Sequence, residues 1–170
     1  MMRRVALLAA MLAGSAAWGQ GDLPVAYDAS VLEACLAAKS GDTRRDCIGI
    51  AANHCMQASD AGGSNAGMGF CLGAERDDWD ARLNAAYQNL LEIEEALDKA
   101  MAEVSSAPQS APALREMQRA WIAFRDAACD YEVTQWGGGS GGSPAWSACT
   151  MRLTGEQAIE LIGRLGDKNR

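Results

Sequence analysis

The residues of this 170-residue chain whose types could do chemistry are six cysteines, one histidine and two clusters of carboxylates. Cys35, Cys47, Cys55, Cys71, Cys129 and Cys149 could ligate a metal, act as nucleophiles or pair as disulfides. Zinc sites space their cysteines closely, and no two of these stand two to four residues apart, so no metal is expected. His54 adjoins Cys55, but neighbours in a helix point in different directions, which does not make a thiol and its base. An even count in an exported chain reads instead as a disulfide framework. Local pairing is geometrically simplest: Cys35 with Cys47 across a short helical hairpin, and Cys55 with Cys71 around a glycine-rich loop. The remaining pair, Cys129 with Cys149, brackets a second glycine run, and this bridge would contribute about 3 kcal/mol by limiting the unfolded chain. Other pairings of six cysteines stay open.

The carboxylates Glu75, Asp77, Asp78 and Asp80, with Glu92, Glu94 and Glu95, offer pairs of the kind glycoside hydrolases use. On a helix such runs read as a solvated face. The segment Gly137-Gly138-Gly139-Ser140-Gly141-Gly142 formally fits a dinucleotide-binding glycine pattern, which has meaning only between a strand and a helix. Neither flank fits, so no cofactor is expected. With no catalytic, cofactor-binding or metal-ligating set, the chain reads as a binding protein, not an enzyme.

The elements that must position these residues begin after an export signal. Arg3 and Arg4, an apolar run over 5–13, and small residues before a cut after Ala17-Trp18-Gly19 make 1–19 a secretory signal peptide. The run is far short of the roughly 20 residues a spanning helix needs, so a soluble periplasmic or secreted product is expected, with no stable membrane anchor. Removing Arg3 and Arg4 from 15 basic residues leaves 13 against 22 acidic ones, a formal charge of −9. That charge repels nucleic acid and attracts basic partners at low salt.

The remaining 20–170 is expected to fold as one all-α domain, a disulfide-stapled bundle built on a long antiparallel helix hairpin with short flanking helices. Residues 30–57 read as a short helical pair, with Ser40-Gly41-Asp42-Thr43 as stop, turn and new N-cap, and the second helix running to about Gln57. Residues 58–69 read as a loop. From Leu72, apolar positions at Trp79, Leu83, Ala86, Tyr87, Leu90, Ile93, Leu97, Met101 and Val104 predict one long helix. The acids from Glu75 onward would sit in its first turns, favoured by the helix dipole. Pro108 and Pro112 break the pattern. Leu114, Met117, Trp121, Phe124, Ala128 and Tyr131 form a second stripe, predicting a hairpin with Trp79, Trp121 and Phe124 in the core. Residues 136–146 read as a mobile surface loop, and Thr154-Gly155-Glu156-Gln157 as the capping box of a short last helix stopped by Gly166.

Two segments resemble a known family. One helix carries Asp80-Ala81-Arg82-Leu83-Asn84-Ala85-Ala86-Tyr87. The next carries Gln118-Arg119-Ala120-Trp121-Ile122-Ala123-Phe124-Arg125-Asp126-Ala127-Ala128-Cys129. With the glycine-serine run and Cys149-Thr150-Met151-Arg152-Leu153-Thr154, the chain resembles the LprI-like lysozyme-inhibitor family from about Cys55 to Leu165. Trp79, Asp80, Leu83, Asn84, Tyr87, Gln118, Trp121, Arg125, Asp126 and Thr154 are the residues taken as its motif. The resemblance implies an exported helical domain over 58–170 that inhibits animal-type (c-type) lysozyme, a basic protein partner. The chain departs from the name-giving member by lacking its lipoprotein cysteine and by adding the cysteine-containing helical pair ahead of residue 58. Trp136 and Trp146 flank the glycine run and are expected to pack down as its apolar anchors, or else to grip a partner; Trp136, Gly138, Gly139, Ser140 and Trp146 are the candidate partner contacts. The alternative contact face is the acidic start of the long helix, and the alternative function is an envelope-stress or structural interaction module with no lysozyme role.

Overall fold

The computed structural model describes residues 25–104, 106 and 108–168, and the predicted signal at 1–19 lies outside them. The described residues are all helical apart from turns and connections, as expected. Helix α1 spans Ala29–Ala38 and starts where the Asp28 carboxylate accepts the Ser30 N–H at 2.9 Å. Ser40 ends it and opens a 3-10 turn, Gly41–Cys47. The expected single second helix is broken at Gly49, whose φ of +89° turns the chain into α2, Ile50–Gln57. Glycine takes that left-handed conformation without the steric penalty a side chain would meet.

The 58–69 segment is more ordered than a loop. It holds a 3-10 turn, Asp60–Gly63, and then the start of α3, Asn65–Ala100, where the Ser64 hydroxyl accepts the Gly67 N–H. A Cβ on Gly67 would strike the Ala61 carbonyl and come within 2.8 Å of the Gly62 Cα. Gly62 and Gly67 thus allow close backbone packing rather than freedom. Because α3 begins at Asn65, Glu75, Asp77, Asp78 and Asp80 lie well beyond its first turn, which removes the expected dipole role.

Helix α4, Ser110–Thr134, folds back beside α3: the Asp98 carboxylate accepts the N–H groups of Ser110 and Ala111, and Arg115 pairs with Glu95, as an antiparallel hairpin requires. Pro112 does not break α4. It lies in the first turn, where backbone N–H groups have no helical acceptor to lose. The final helix, α5, runs Gly142–Lys168 without interruption. Thr154 is therefore in its middle, fully buried, and neither the capping box nor the stop at Gly166 exists. The residues after the glycine run had enough helical and apolar character to carry one helix through Thr154 and Gly155.

Helix α5 lies along α3 as its main neighbour, α4 flanks both, and α1, the 3-10 turn and α2 pack over one end. Trp79, Leu83, Leu90, Ala158 and Leu161 form the centre of the core, with Leu32 and Ala52 from the first helices. Helix α4 presents part of the expected stripe: Leu114 and Trp121 pack on the core and Ala128 on the Cys129–Cys149 bridge, but Met117, Phe124 and Tyr131 do not. Ala111, Gln118 and Cys129 are buried and Trp121 half-buried, whereas Phe124 is 61% and Tyr131 66% exposed. Cys129 is tied to α5 and Ala111 to Asp98, so the buried face overlaps the apolar stripe at Leu114, Trp121 and Ala128 but is turned away from Phe124 and Tyr131.

The disulfides are Cys35–Cys47, Cys55–Cys71 and Cys129–Cys149, the expected local pairs. No helix among the described residues is long and apolar enough to cross a membrane.

Candidate partner-binding site

The glycine run is a tight turn between two helices held together by a disulfide. Helix α4 ends at Thr134 and α5 begins at Gly142, so only 135–141 connect them, shorter than the mobile 136–146 loop expected. Gly137 and Gly138 adopt φ of +54° and +85°, which suits glycine alone among common residues. The Gly137 N–H donates to the Thr134 carbonyl at 3.2 Å, Gly139 to Trp136 at 2.8 Å and Gly142 to Gly139 at 3.2 Å. The Trp136 ring lies against Gly141, where an added Cβ would overlap the indole.

The two tryptophans at this turn have different places. Trp146 is inside α5, half-buried on the Cys129–Cys149 bridge and Leu153, with its indole N–H donated to Asp130 at 3.2 Å. Trp136 is 52% exposed. Its ring stands at the rim of an apolar groove of about 680 Å³. Ile48, Met56, Met68, Leu72 and Met151 line the groove, with Ser140 on the turn side. A second recess of about 470 Å³ on the other side of Trp136 adds Glu132 and Arg152. Gly138 and Gly139 are exposed at the tip of the turn and outside the groove lining. The candidate contacts are thus divided: Trp136 and Ser140 meet at the groove, Gly138 and Gly139 stand above it, and Trp146 anchors the tether.

Sequence reading missed the opposite wall, made from the end of α2 and the start of α3. Its signal was the flanking of Cys55–Cys71 by Met56 and Met68. Methionine is unbranched and polarisable, and suits surfaces that adapt to a partner.

That wall is held by a carboxylate. Glu75 is fully buried. Its Oε1 accepts the Gly49 N–H at 2.5 Å and the Trp79 indole N–H at 3.0 Å, and its Oε2 accepts the Ala52 N–H at 2.7 Å. The side chain therefore caps the N-terminus of α2, where free N–H groups and the helix dipole favour negative charge. Glu75 is not part of a solvated face, as the sequence had suggested. One turn further, Asp78 accepts the Tyr27 hydroxyl at 2.8 Å, pinning the lead into α1 onto α3. Burial, followed by this bond to a carboxylate, pushes the Tyr27 phenol above its ordinary range.

The family-motif residues lie away from the groove rim. Trp79 and Leu83 are core. Asp80 accepts the Asn84 amide at 2.8 Å, and Tyr87 lies beside Gln118 where α3 meets α4. Gln118, almost buried, accepts the Gln157 amide at 3.2 Å and so joins α4 to α5. The Arg125 guanidinium stands 5.1 Å over the Trp121 ring and donates to Asp126. Thr154 is buried with no partner for its hydroxyl. Trp79, Leu83, Tyr87 and Gln118 of the motif sit where helices meet, while Asp80 with Asn84 and Arg125 with Trp121 and Asp126 make contacts within one helix.

Among the described residues, no cluster of histidine, cysteine, aspartate and glutamate could hold a metal ion. The groove offers apolar contact with a few polar groups, an arrangement for recognition. A family model described as "Lysozyme inhibitor LprI" matches residues 55–161. A curated relative from Rhizobium meliloti (strain 1021), itself uncharacterized, is 32% identical over 95 residues, covering 55% of this chain and 68% of the relative. No solved structure matches the chain.

Proposed function

This chain belongs to the LprI lysozyme-inhibitor family, and on that premise we propose that it acts outside the cytoplasm as a non-enzymatic inhibitor of animal (c-type) lysozyme. Export to the periplasm or beyond fits a chain whose six cysteines are all paired. The observation that carries the reading is Trp136: a half-exposed indole on an ordered, disulfide-tethered turn, at the edge of an apolar groove, within the family's matched region.

A large aromatic beside a pocket is the usual anchor of a protein interface. The hydrogen bonds of the turn and the Cys129–Cys149 bridge lower the ordering cost that a free glycine loop would incur on binding. Trp136 and Ser140 supply contact at the rim, Gly138 and Gly139 allow close backbone approach, and Trp146 holds the turn in place. The net charge is −7 for the whole chain and −9 without the signal, against a basic enzyme. That complementarity speeds encounter and is screened by salt.

The test is hen-type lysozyme lysing cell walls in the presence of the purified, oxidised mature protein. Stoichiometric inhibition is expected, with Trp136→Ala raising the inhibition constant at least about tenfold, the effect of losing one interface anchor. Unaffected lysis at micromolar excess, with one defined envelope protein retained on immobilised protein, would support the interaction-module reading instead.

A further inference from the structure

One face of α4, exposed apart from a 3.6 Å contact of the Gln157 amide with the Met117 Sδ, carries a regular pattern. Ala113, Met117, Ala120, Phe124, Ala127 and Tyr131 are all exposed and recur at steps of four and three. This is a heptad seam with a large residue at one position and alanine at the other. Bumps therefore alternate with hollows along one stripe. An antiparallel second copy puts every bump into a hollow: Met117 on Ala127, Phe124 on Ala120 and Tyr131 on Ala113, and the reverse by two-fold symmetry. We propose that this face of α4 is the interface of a homodimer, formed by two antiparallel α4 helices related by a two-fold axis.

The size of the patch sets how strong such a dimer can be. Phe124 is 61%, Tyr131 66% and Met117 38% exposed. With the three alanines, roughly 500 Å² per copy would be covered, or roughly 1,000 Å² in total, the lower limit for a specific interface. The dimer is therefore weak and concentration-dependent. Its charges oppose it at low salt. Glu116 of one copy comes to the same flank as Asp130 of the other, softened by Arg119, which pairs with Glu116. Both copies are also acidic as a whole. Salt should tighten self-association, the reverse of its effect on binding a basic protein.

Sedimentation equilibrium of the oxidised mature protein tests this, over about 5–300 µM protein and about 0.05–0.5 M NaCl. The expected result is a monomer–dimer equilibrium that strengthens with salt. Ala120→Glu, which fills the hollow and adds charge, and Phe124→Arg should each weaken it more than about tenfold at unchanged thermal stability, since both sites are exposed. Phe70→Arg, at an exposed apolar residue on α3, should leave it intact. A monomer at every concentration and salt, or a dimer indifferent to both α4 substitutions, would overturn the proposal. Loss of lysozyme inhibition in Phe124→Arg with a monomeric parent would also overturn it, assigning the face to a different protein.

Discussion

At the scale of single residues, Glu75 decides more than any other polar side chain. It satisfies two backbone N–H groups and one indole in a place water does not reach. Glu75→Gln keeps the volume but replaces one acceptor oxygen with an NH₂ facing an N–H donor. The expected loss is about 2–4 kcal/mol, read as a lowered midpoint of thermal unfolding. An unchanged midpoint would mean the α2 cap is dispensable. Tyr27 gives a pH-dependent counterpart. Its folded pKa is raised, so the stability it contributes is present below the ordinary tyrosine pKa and is lost as pH rises through and above it. Tyr27→Phe should cost about 1 kcal/mol near neutrality, a modest figure because the site is partly exposed, and the gap should close in alkaline solution. Neither role was legible in the sequence. The partners of Glu75 are backbone groups 23 and 26 residues away, and nothing at their positions marks them as donors to a carboxylate.

At the scale of elements, the disulfide pairing and the existence of two long helices were legible because both depend on spacing within a few tens of residues, whereas Leu97, Met101, Val104 and Phe124 of the expected stripes are exposed. The bounds were not legible, since local signals are ambiguous when a neighbouring helix overrides them. Thr154-Gly155-Glu156-Gln157 has the form of a capping box, yet α5 passes straight through it. The two readings predict opposite results for one substitution. Thr154→Val removes a buried hydroxyl with no partner and should stabilise by about 0.5–1.5 kcal/mol, whereas loss of a true N-cap would destabilise. Glycines divide similarly. Gly69→Ala meets nothing within 4 Å and should gain about 0.5–1 kcal/mol from helix propensity. Gly67→Ala, two residues earlier in the same helix, collides with backbone and should lose about 1–3 kcal/mol. Denaturant midpoints of the two variants would separate close packing from mere flexibility. In α4, Phe124 and Tyr131 were expected inside because they continue the stripe of Leu114 and Trp121, but the Cys129 bridge and the Gln118–Gln157 contact select a face that leaves them out.

At the scale of the whole molecule, three bridges staple helices that individually bury modest surfaces. Replacing Cys129 and Cys149 with alanine should cost about 3 kcal/mol and free the turn that carries Trp136. Inhibition should then fall even at temperatures where the variant stays folded by circular dichroism. Of the candidate site, the turn and its tryptophans were legible because glycine runs and aromatics stand out in any sequence. The facing wall was not, because its groove exists only once α2 and α3 are bridged and laid beside the start of α5. The family motif pointed to the fold rather than to the rim, since Trp79, Leu83 and Gln118 lie between helices and none of its residues lines the groove. Titration of hen-type lysozyme with the oxidised protein during wall lysis, at low and moderate salt, tests whether the chain inhibits that enzyme. Stoichiometric inhibition is expected, weakening as salt rises, with Trp136→Ala raising the inhibition constant at least about tenfold. Full lytic activity at micromolar excess of the inhibitor, at either salt, would contradict it.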